Sequence, residues 1–303
     1  MRQRSRSIWV PSIHPFNADS SLDEGGFRVH LQRLANAGLN VLVANEGSGE
    51  SFTFSDAEMA RVMEIAKEEL QGKVIVSGMG RMVRKASDMI EFVRLVEEIG
   101  LDGVQIYALE MGHGLTPSVA EQERYLRDVL EHTHIPTVLS LHRHAGYSYP
   151  VDLLDRIVDD YPQIVGAIMT TNDVLYLWEV LEALGERIEV HTHTWNAMTN
   201  LALGGDGFAA PEANLAPHLC ASVMEHYAAG RYTEAQAAFL RVVRLWSICG
   251  KYGSARGTKA ALQILGLPAG PVRLPRLGVN DEERATIARV LDELGVRESE
   301  ALE

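Results

Sequence analysis

Histidines in two strand-like segments are the residues of this sequence best suited to chemistry. One residue separates His191 from His193, and one residue separates His142 from His144. Alternate side chains of an extended strand point to the same side, so each pair presents two imidazoles to one face, and Ser140 shares the face of the second pair. Imidazole suits general acid–base catalysis near neutral pH. The sequence therefore predicts catalytic residues at these five positions.

A divalent metal is the second chemistry that these residues could support. Zinc takes imidazole nitrogens, and a catalytic zinc site uses about three protein ligands and one open position. We expect His191, His193 and His142 as the ligands if a metal is bound, and no other cofactor is indicated. Without a metal, the same histidines would act as hydrogen-bond donors and as a general base. A third interpretation is a polar, hydrogen-bonded strand edge that carries no chemistry.

A glycine-rich turn is the candidate substrate-binding element. An apolar run that begins at Val41 ends in the sequence EGSGE at positions 46–50, and Ser55 with Glu58 then forms a capping-box pattern. Glycines let backbone amides approach a ligand, and such a turn suits a small anion, most simply a carboxylate. The alternative is an ordinary strand-to-helix turn. The predicted substrate-binding residues of this turn are Glu46, Gly47 and Ser48.

Eight short apolar runs alternate with amphipathic segments of helical period, and this order indicates the fold that positions these residues. Apolar strands that alternate with helices indicate a parallel sheet covered on both faces. Eight such units predict an α/β fold, a (β/α)8 TIM barrel, in which the carboxyl ends of the strands meet at one mouth. The predicted strands are 8–13, 41–44, 74–76, 103–107, 137–141, 164–169, 188–190 and 207–210.

Helical segments continue after the eighth predicted strand. They cover residues 215–229, 232–250, 255–265 and 281–294, and the barrel needs only one of them. We therefore predict a barrel over residues 1–225 and a C-terminal helical region over residues 226–303 that packs on it.

Ordered motifs resemble the dihydrodipicolinate synthase / N-acetylneuraminate lyase family. They are PSIHPF at 11–16, EGSGE at 46–50, SGMG at 77–80, and GDG at 205–207 followed by Asn214 and Pro217. The resemblance covers about residues 8 to 265. It implies a lyase or aldolase-type enzyme for a small 2-oxo or hydroxy carboxylic acid, built as a barrel with C-terminal helices. It also implies a homo-oligomer, either a tetramer or a dimer.

The largest departure from that family lies on the sixth predicted strand. The family reads IVGIKE, with a lysine that forms a Schiff base with a 2-oxo acid, whereas this chain reads IVGAIM and has Ile168 at the lysine position. The lysines of this chain are predicted on helices or before the third strand, so we expect no imine at the mouth. They are Lys67, Lys73, Lys85, Lys251 and Lys259.

The resemblance adds roles for other positions. Ser140 stands where the family has a proton-transfer tyrosine, and Arg143 could correspond to the family's carboxylate-binding arginine. Ala209 ends the eighth predicted strand, where the family closes the substrate pocket with backbone groups. Arg143 and Ala209 thus join the predicted substrate-binding residues. His14 and Glu50 are expected to support the structure.

Composition argues against several classes of partner. The chain of 303 residues carries a net charge of −13, from 28 Lys and Arg against 41 Asp and Glu, which argues against nucleic acid and anionic membranes. No apolar run reaches the ~18 residues of a membrane span. Cys220 and Cys249 are too few for a disulfide framework and fit a reducing compartment, so we expect a cytoplasmic protein. The expected partner is a small carboxylated metabolite.

Three functions remain open from the sequence. The first is a lyase or aldolase-type enzyme that uses histidines, with or without a metal, in place of the lysine. The second is a non-catalytic barrel that binds a carboxylated metabolite. The third is an isomerase or hydrolase limited to proton transfer. Metal content, turnover and saturable binding distinguish them.

Overall fold

Eight parallel strands form a closed barrel in chain order, as the sequence predicts. The computed structural model describes residues 2–302. All eight predicted strands are present, which confirms the α/β barrel. The strands are β1 (Ile8–Pro11), β2 (Asn40–Val43), β3 (Val76–Met79), β4 (Gly103–Ile106), β5 (Thr137–His142), β6 (Ile164–Thr170), β7 (Glu189–His193) and β8 (Gly207–Ala209).

Helices alternate with these strands and continue after the last one. The first seven are α1 (Glu24–Asn36), α2 (Asp56–Leu70), α3 (Ala86–Ile99), α4 (Val119–Leu130), α5 (Val151–Asp160), α6 (Val174–Leu184) and α7 (Ala197–Ala202). The C-terminal helical region is confirmed by α8 (Pro217–Ala228), α9 (Tyr232–Cys249), α10 (Ser254–Leu265), α11 (Asp281–Glu293) and α12 (Val296–Ser299). Between residues 2 and 302, none of the helices has the length and apolar character to cross a membrane.

Local sequence explains where several helices begin and end. The Ser55 hydroxyl accepts a hydrogen bond from the Glu58 amide, and the Glu58 carboxylate accepts one from the Ser55 amide, so the predicted capping box opens α2. Helix α3 ends at Ile99 and is followed by Gly100, whose φ of 79° is in the left-handed region that favours glycine. Both signals could be found in the sequence.

The strand register decides which side chains of β5 to β8 share a face. Paired residues of neighbouring strands point to the same side of a sheet, and so do residues two apart along one strand. The predicted catalytic residues of β5 and β7 therefore face the same side as the residue that replaces the lysine. One row contains Ser140, Ile168, His191 and Gly207, and the next contains His142 beside Thr170 and His193 beside Ala209.

Some strand boundaries differ from the prediction. β3 begins at Val76 because the preceding residues still close the end of α2, where the Lys73 amide donates to the Leu70 carbonyl at 2.9 Å. β7 continues through His193, although this half of the strand is polar. Its register with β6 and β8 keeps it extended, so pairing with two neighbours overrides the polar composition.

The described residues group into two compact units. The first contains Ser77–Ala209 and the N-terminal residues up to Arg6, and it carries the histidines of β5 and β7. The second contains Ser7–Val76 and the chain from Ala210 onward, and it carries the glycine-rich turn and the C-terminal helices. The predicted domain boundary near residue 225 stays a prediction.

Candidate active site

The end of β5 carries a hydrogen-bonded serine–histidine pair. The Ser140 hydroxyl is bonded to Nδ1 of His142, and the Tyr107 ring stacks on the imidazole with 5.0 Å between ring centroids. Burial lowers the pKa of His142 to about 3, and the neighbouring His144 contributes to the lowering. His142 is therefore neutral near pH 7 and can form a hydrogen bond with a bound hydroxyl group.

His144 and Arg143 leave the strand face that carries Ser140. The prediction placed Ser140, His142 and His144 on one face of a continuous strand, but β5 ends at His142 and Arg143–Ala145 form a 3-10 turn. This turn leaves both His144 and Arg143 exposed. The Arg143 amide donates to the Thr170 hydroxyl at 3.1 Å, which fixes the start of the turn. The prediction that His144 shares this face is wrong, because β5 ends at His142, two residues before His144.

His191 and His193 share the expected face of β7. His191 is 2% exposed, and burial lowers its pKa to about 4. Glu189, two residues earlier, has Oε2 3.8 Å from Nε2 of His191. The ring of His193 stacks on Trp195 at a centroid distance of 3.8 Å, and burial lowers the His193 pKa to about 3. At neutral pH both imidazoles are uncharged.

The predicted metal ligands have separate partners. His142 is bonded to Ser140, His193 is stacked on Trp195, and Nε2 of His191 faces the Glu189 carboxylate. In the part of the chain that the structure describes, no three His, Cys, Asp or Glu side chains are grouped so that they could hold a metal ion. These residues as placed do not fit the three-ligand site, and metal binding stays a prediction.

Ile168 occupies the position that the resemblance assigns to the Schiff-base lysine. It is 2% exposed, and it lies in register between Ser140 of β5 and His191 of β7. The aliphatic side chain of Ile168 therefore lies between the polar side chains of Ser140 and His191 in this row. It offers no amine for imine formation.

The glycine-rich turn of the second unit is held by side chains around it. The amide of Gly49 donates to the Asn45 side chain at 2.8 Å, and its carbonyl is 2.7 Å from Nδ1 of His14. The hydroxyls of Ser48 and Ser254 are 2.8 Å apart. A Cβ at position 49 would lie 2.4 Å from the His14 ring, so this position requires glycine. His14 thus has the expected structural role.

A buried ion pair follows this turn. Oε1 of Glu50 lies 2.7 Å from Nζ of Lys259, and its Oε2 accepts a hydrogen bond from the Arg273 amide at 3.1 Å. Lys259 also donates to the Pro271 carbonyl at 3.0 Å, and its Nζ lies 3.8 Å from the centroid of the Phe16 ring. The Glu50 carboxylate therefore ties the turn to two C-terminal segments, as its expected supporting role requires.

The placement of Lys259 corrects one step of the sequence argument. Its position in a C-terminal helix suggested a site remote from the strand ends, yet it contacts residues that follow β1 and β2. Burial lowers its pKa to about 8, against the opposing charge of Glu50. The side chain is 2% exposed, and its ammonium group has the partners described above. Helix assignment alone could not reveal this approach.

The remaining predicted residues are accounted for within their own units. Ala209 ends β8, is buried, and its carbonyl accepts a hydrogen bond from the Thr194 hydroxyl at 3.3 Å. In the second unit, Gly47 is exposed and Glu46 is half-buried. Substrate binding by these residues stays a prediction.

Sequence reasoning missed the aromatic partners of the histidines and one carboxylate. Tyr107 and Trp195 stack on His142 and His193, and Glu189 faces His191. Two of the three could have been found, because Glu189 and Trp195 continue the alternation of the His-x-His pattern. Tyr107 follows another strand, β4, so no local pattern connects it with His142.

Known proteins resemble this chain over nearly its whole length. The profile of the dihydrodipicolinate synthetase family matches residues 4–294. An uncharacterized DapA-like lyase of Pyrobaculum aerophilum is 26% identical over 301 residues, which cover 95% of this chain and 98% of the relative. A 4-hydroxy-tetrahydrodipicolinate synthase of Methanothrix thermoacetophila is 26% identical over 292 residues, with 95% and 97% covered.

A solved structure shares the fold. Dihydrodipicolinate synthase of Thermotoga maritima superposes with a TM-score of 0.89 at 19% identity, over 97% of this chain and 100% of that one. This likeness concerns the barrel and its helices, whereas the family assignment rests on the match of sequence over residues 4–294. The chain belongs to the dihydrodipicolinate synthetase family and is a lyase of that family.

Proposed function

We propose that this lyase acts on a small 2-oxo or hydroxy carboxylic acid without forming a Schiff base. The observation that supports this most is the row formed by Ser140, Ile168 and His191, in which an aliphatic residue stands between polar groups. With no lysine on that strand, the barrel interior offers uncharged imidazoles as its reactive groups. The chemistry that we propose is proton transfer and hydrogen bonding.

The Ser140–His142 pair supplies the base in this proposal. In the cleavage of a 4-hydroxy-2-oxo acid, His142 takes the proton of the substrate hydroxyl, directly or through Ser140. The carbon–carbon bond beside that carbinol carbon breaks, and its electron pair forms an enolate. An aldehyde leaves, and the enolate is then protonated at carbon to give the 2-oxo acid. Every proton that the pair takes up is returned.

The imidazoles of β7 stabilise the enolate oxygen. A neutral imidazole donates one N–H, and in a buried site such a donor stabilises developing negative charge more than it does in water. His191 is buried, His193 is half-buried and stacked on Trp195, and both rings stay neutral near pH 7. Arg143, exposed after β5, is the proposed partner of the substrate carboxylate within the same unit.

Aldol cleavage measured directly tests this proposal. Purified protein is incubated with a panel of short 4-hydroxy-2-oxo acids, and the released 2-oxo acid is measured before and after treatment with a metal chelator. We expect turnover that the chelator leaves unchanged and that His142→Ala reduces. Saturable binding without turnover would favour the carboxylate-binding alternative, and proton exchange without cleavage would favour an isomerase.

We further propose a homo-oligomer, a dimer or tetramer, in a reducing, cytoplasmic setting. The outer face of α6 exposes Val174, Leu175 and Trp178, with 50%, 62% and 47% of their surfaces accessible. Adjacent exposed apolar side chains of this size are typical of surfaces that contact another chain. Both cysteines are free and buried, which suits a reducing compartment.

A further inference from the structure

The basic N-terminal segment Arg2–Arg6, here called the arm, is bound to the turns that precede β7 and β8. The Arg2 guanidinium donates to the Ile188 carbonyl at 3.1 Å and to the Asp206 carboxylate at 2.6 Å. Its backbone amide donates to Glu186 at 2.8 Å. One residue thus connects the end of α6 with the start of β8.

The other residues of the arm repeat these contacts. Arg4 donates to the Gly185 carbonyl, and its second nitrogen lies 2.8 Å from the Glu186 carboxylate. The Ser5 amide donates to Asp206 at 3.2 Å. Arg2 and Arg4 thus serve as hydrogen-bond donors to backbone and carboxylate groups.

Asp206 carries the contact from the arm into the barrel. It is fully buried, and the oxygen that receives Arg2 also accepts the Val190 amide of β7 at 3.0 Å. The Asn200 side chain donates to the Val190 carbonyl at 2.9 Å and to the Gly207 carbonyl at 2.9 Å. Both polar groups of the Val190 backbone are therefore held by buried side chains.

The arm also touches the residue on the other side of Val190. The Ser5 side chain is hydrogen-bonded to Glu189, the carboxylate that faces His191 across 3.8 Å. Val190 immediately precedes His191, so the arm reaches the residues at both positions before the imidazole. The part of β7 that sets the position of His191 is thus fixed from the amino end of the strand.

We infer that the arm is a positioning element for His191, acting through Asp206 on the Val190 backbone and through Ser5 on Glu189. The inference rests on the proposed function for its catalytic meaning, since His191 matters to turnover only if it stabilises the enolate. Arg2, Ser5 and Asp206 do not touch substrate in this scheme. Their effect on turnover passes through the orientation of the imidazole.

Hydrogen–deuterium exchange of the peptide that spans β7 tests the inference independently of activity. In Arg2→Ala we expect exchange in residues 189–193 to rise by about tenfold or more, because the buried Asp206 loses the nearer of its two ion-pair partners, Arg2 at 2.6 Å, and keeps only Arg4 at 3.9 Å, so that the strand opens locally. Exchange in β5, residues 137–142, should stay unchanged. The matched control is Arg28→Ala, which removes an arginine of similar exposure, 29% against 23%, that pairs with Glu68 and Glu69 on α2.

Kinetics and a conservative variant separate positioning from general stabilisation. If the wild type cleaves a 4-hydroxy-2-oxo acid, Arg2→Ala should lower kcat with KM little changed, and Arg2→Lys should restore part of kcat.

Asp206→Asn, which keeps an acceptor for the Val190 amide, should give a smaller increase in exchange than Arg2→Ala combined with Ser5→Ala. Unchanged exchange in β7, or equal increases in β5 and β7, would overturn the inference. Absence of turnover in the wild type would reject the proposed function and leave the exchange result valid.

Discussion

Buried imidazoles that stay neutral determine the chemistry proposed for single residues. Burial penalises the charged ring, so the native pKa of each buried histidine lies well below its ordinary value of 6.5. Such a ring donates one hydrogen bond and accepts another at neutral pH, and it carries no charge to repel an anionic intermediate. His14, His30 and His191 are buried, and His142 and His193 are half-buried. The pKa is about 3 for His14, His30, His142 and His193 and about 4 for His191.

Acid should destabilise this protein before most carboxylates titrate. The unfolded chain takes up protons on these histidines near pH 6.5, whereas the native state resists protonation until pH about 3 to 4. Stability is therefore full above pH 6.5 and falls between pH 6.5 and 5, by up to about 1.4 kcal/mol per pH unit for each histidine. Urea unfolding at several pH values measures this slope.

A single buried histidine outside the active site provides the comparison. His30, hydrogen-bonded to Asn214 at 2.9 Å, should contribute one proton to the slope, and His30→Gln should reduce it by that amount. The raised pKa values of Glu189 and Glu300 act in the opposite direction and limit the fall. A stability that is flat from pH 7.5 to 5 would contradict the burial argument.

Removal of one active-site imidazole should abolish function and leave the fold. We expect His142→Ala, His191→Ala or His193→Ala to lower kcat/KM by about 10²–10⁴-fold, the range of general acid–base catalysis. Circular dichroism should match the wild type. The control is His134→Ala, whose side chain is 77% exposed on the outside of the molecule. Activity that survives all three substitutions would reject these residues as catalytic groups.

At the scale of elements, the glycine-rich turn depends on an ion pair from a distant helix. Breaking a buried pair by removing one partner leaves a buried charge and typically costs about 3–5 kcal/mol. We expect Lys259→Met to destabilise the protein by that order, because the Glu50 carboxylate keeps only the Arg273 amide among the partners described here. Urea unfolding measures the change.

The double variant identifies the cause of that loss. Glu50→Gln combined with Lys259→Met removes both charges and should recover part of the stability. Lys73→Met, at an exposed lysine, should change stability by no more than about 0.5 kcal/mol. Equal losses in the single and double variants would indicate lost packing rather than an unpaired charge.

The sequence predicted elements more completely than it predicted contacts between them. Periodicity and caps are local, so all eight strands and the start of α2 could be predicted. The 3-10 turn after His142 could not, because only the packed structure ends that strand early. Lys259 beside Glu50 and Tyr107 beside His142 are contacts between distant segments, which no spacing rule encodes. The same limit hid the role of Arg2.

At the scale of the whole molecule, the exposed face of α6 should hold copies of the chain together. We expect analytical ultracentrifugation at micromolar concentration to give a dimer or tetramer. Leu175→Asp should shift it toward the monomer, because a carboxylate is costly in an apolar interface. Leu240→Asp on α9 is the matched control, since Leu240 is 59% exposed and Leu175 is 62% exposed. A wild-type monomer would reject the assembly.

The central claim is that a member of this family works without a Schiff base. It rests on Ile168 at the lysine position and on the enclosure of Lys259, whose ammonium group is 2.7 Å from Glu50. A claim of this kind is tested most directly by chemical trapping, since borohydride reduces an imine to a stable amine that increases the mass of the protein.

The measurement is the intact mass of the protein after incubation with pyruvate and borohydride. We predict a mass unchanged from the borohydride-only control. A relative that has a lysine at the position of Ile168, treated in parallel, should gain one adduct. A stoichiometric adduct mapped to any lysine would contradict the account. Lys259 would be the first position to map, because burial lowers its pKa to about 8 and an amine must be deprotonated to attack a carbonyl.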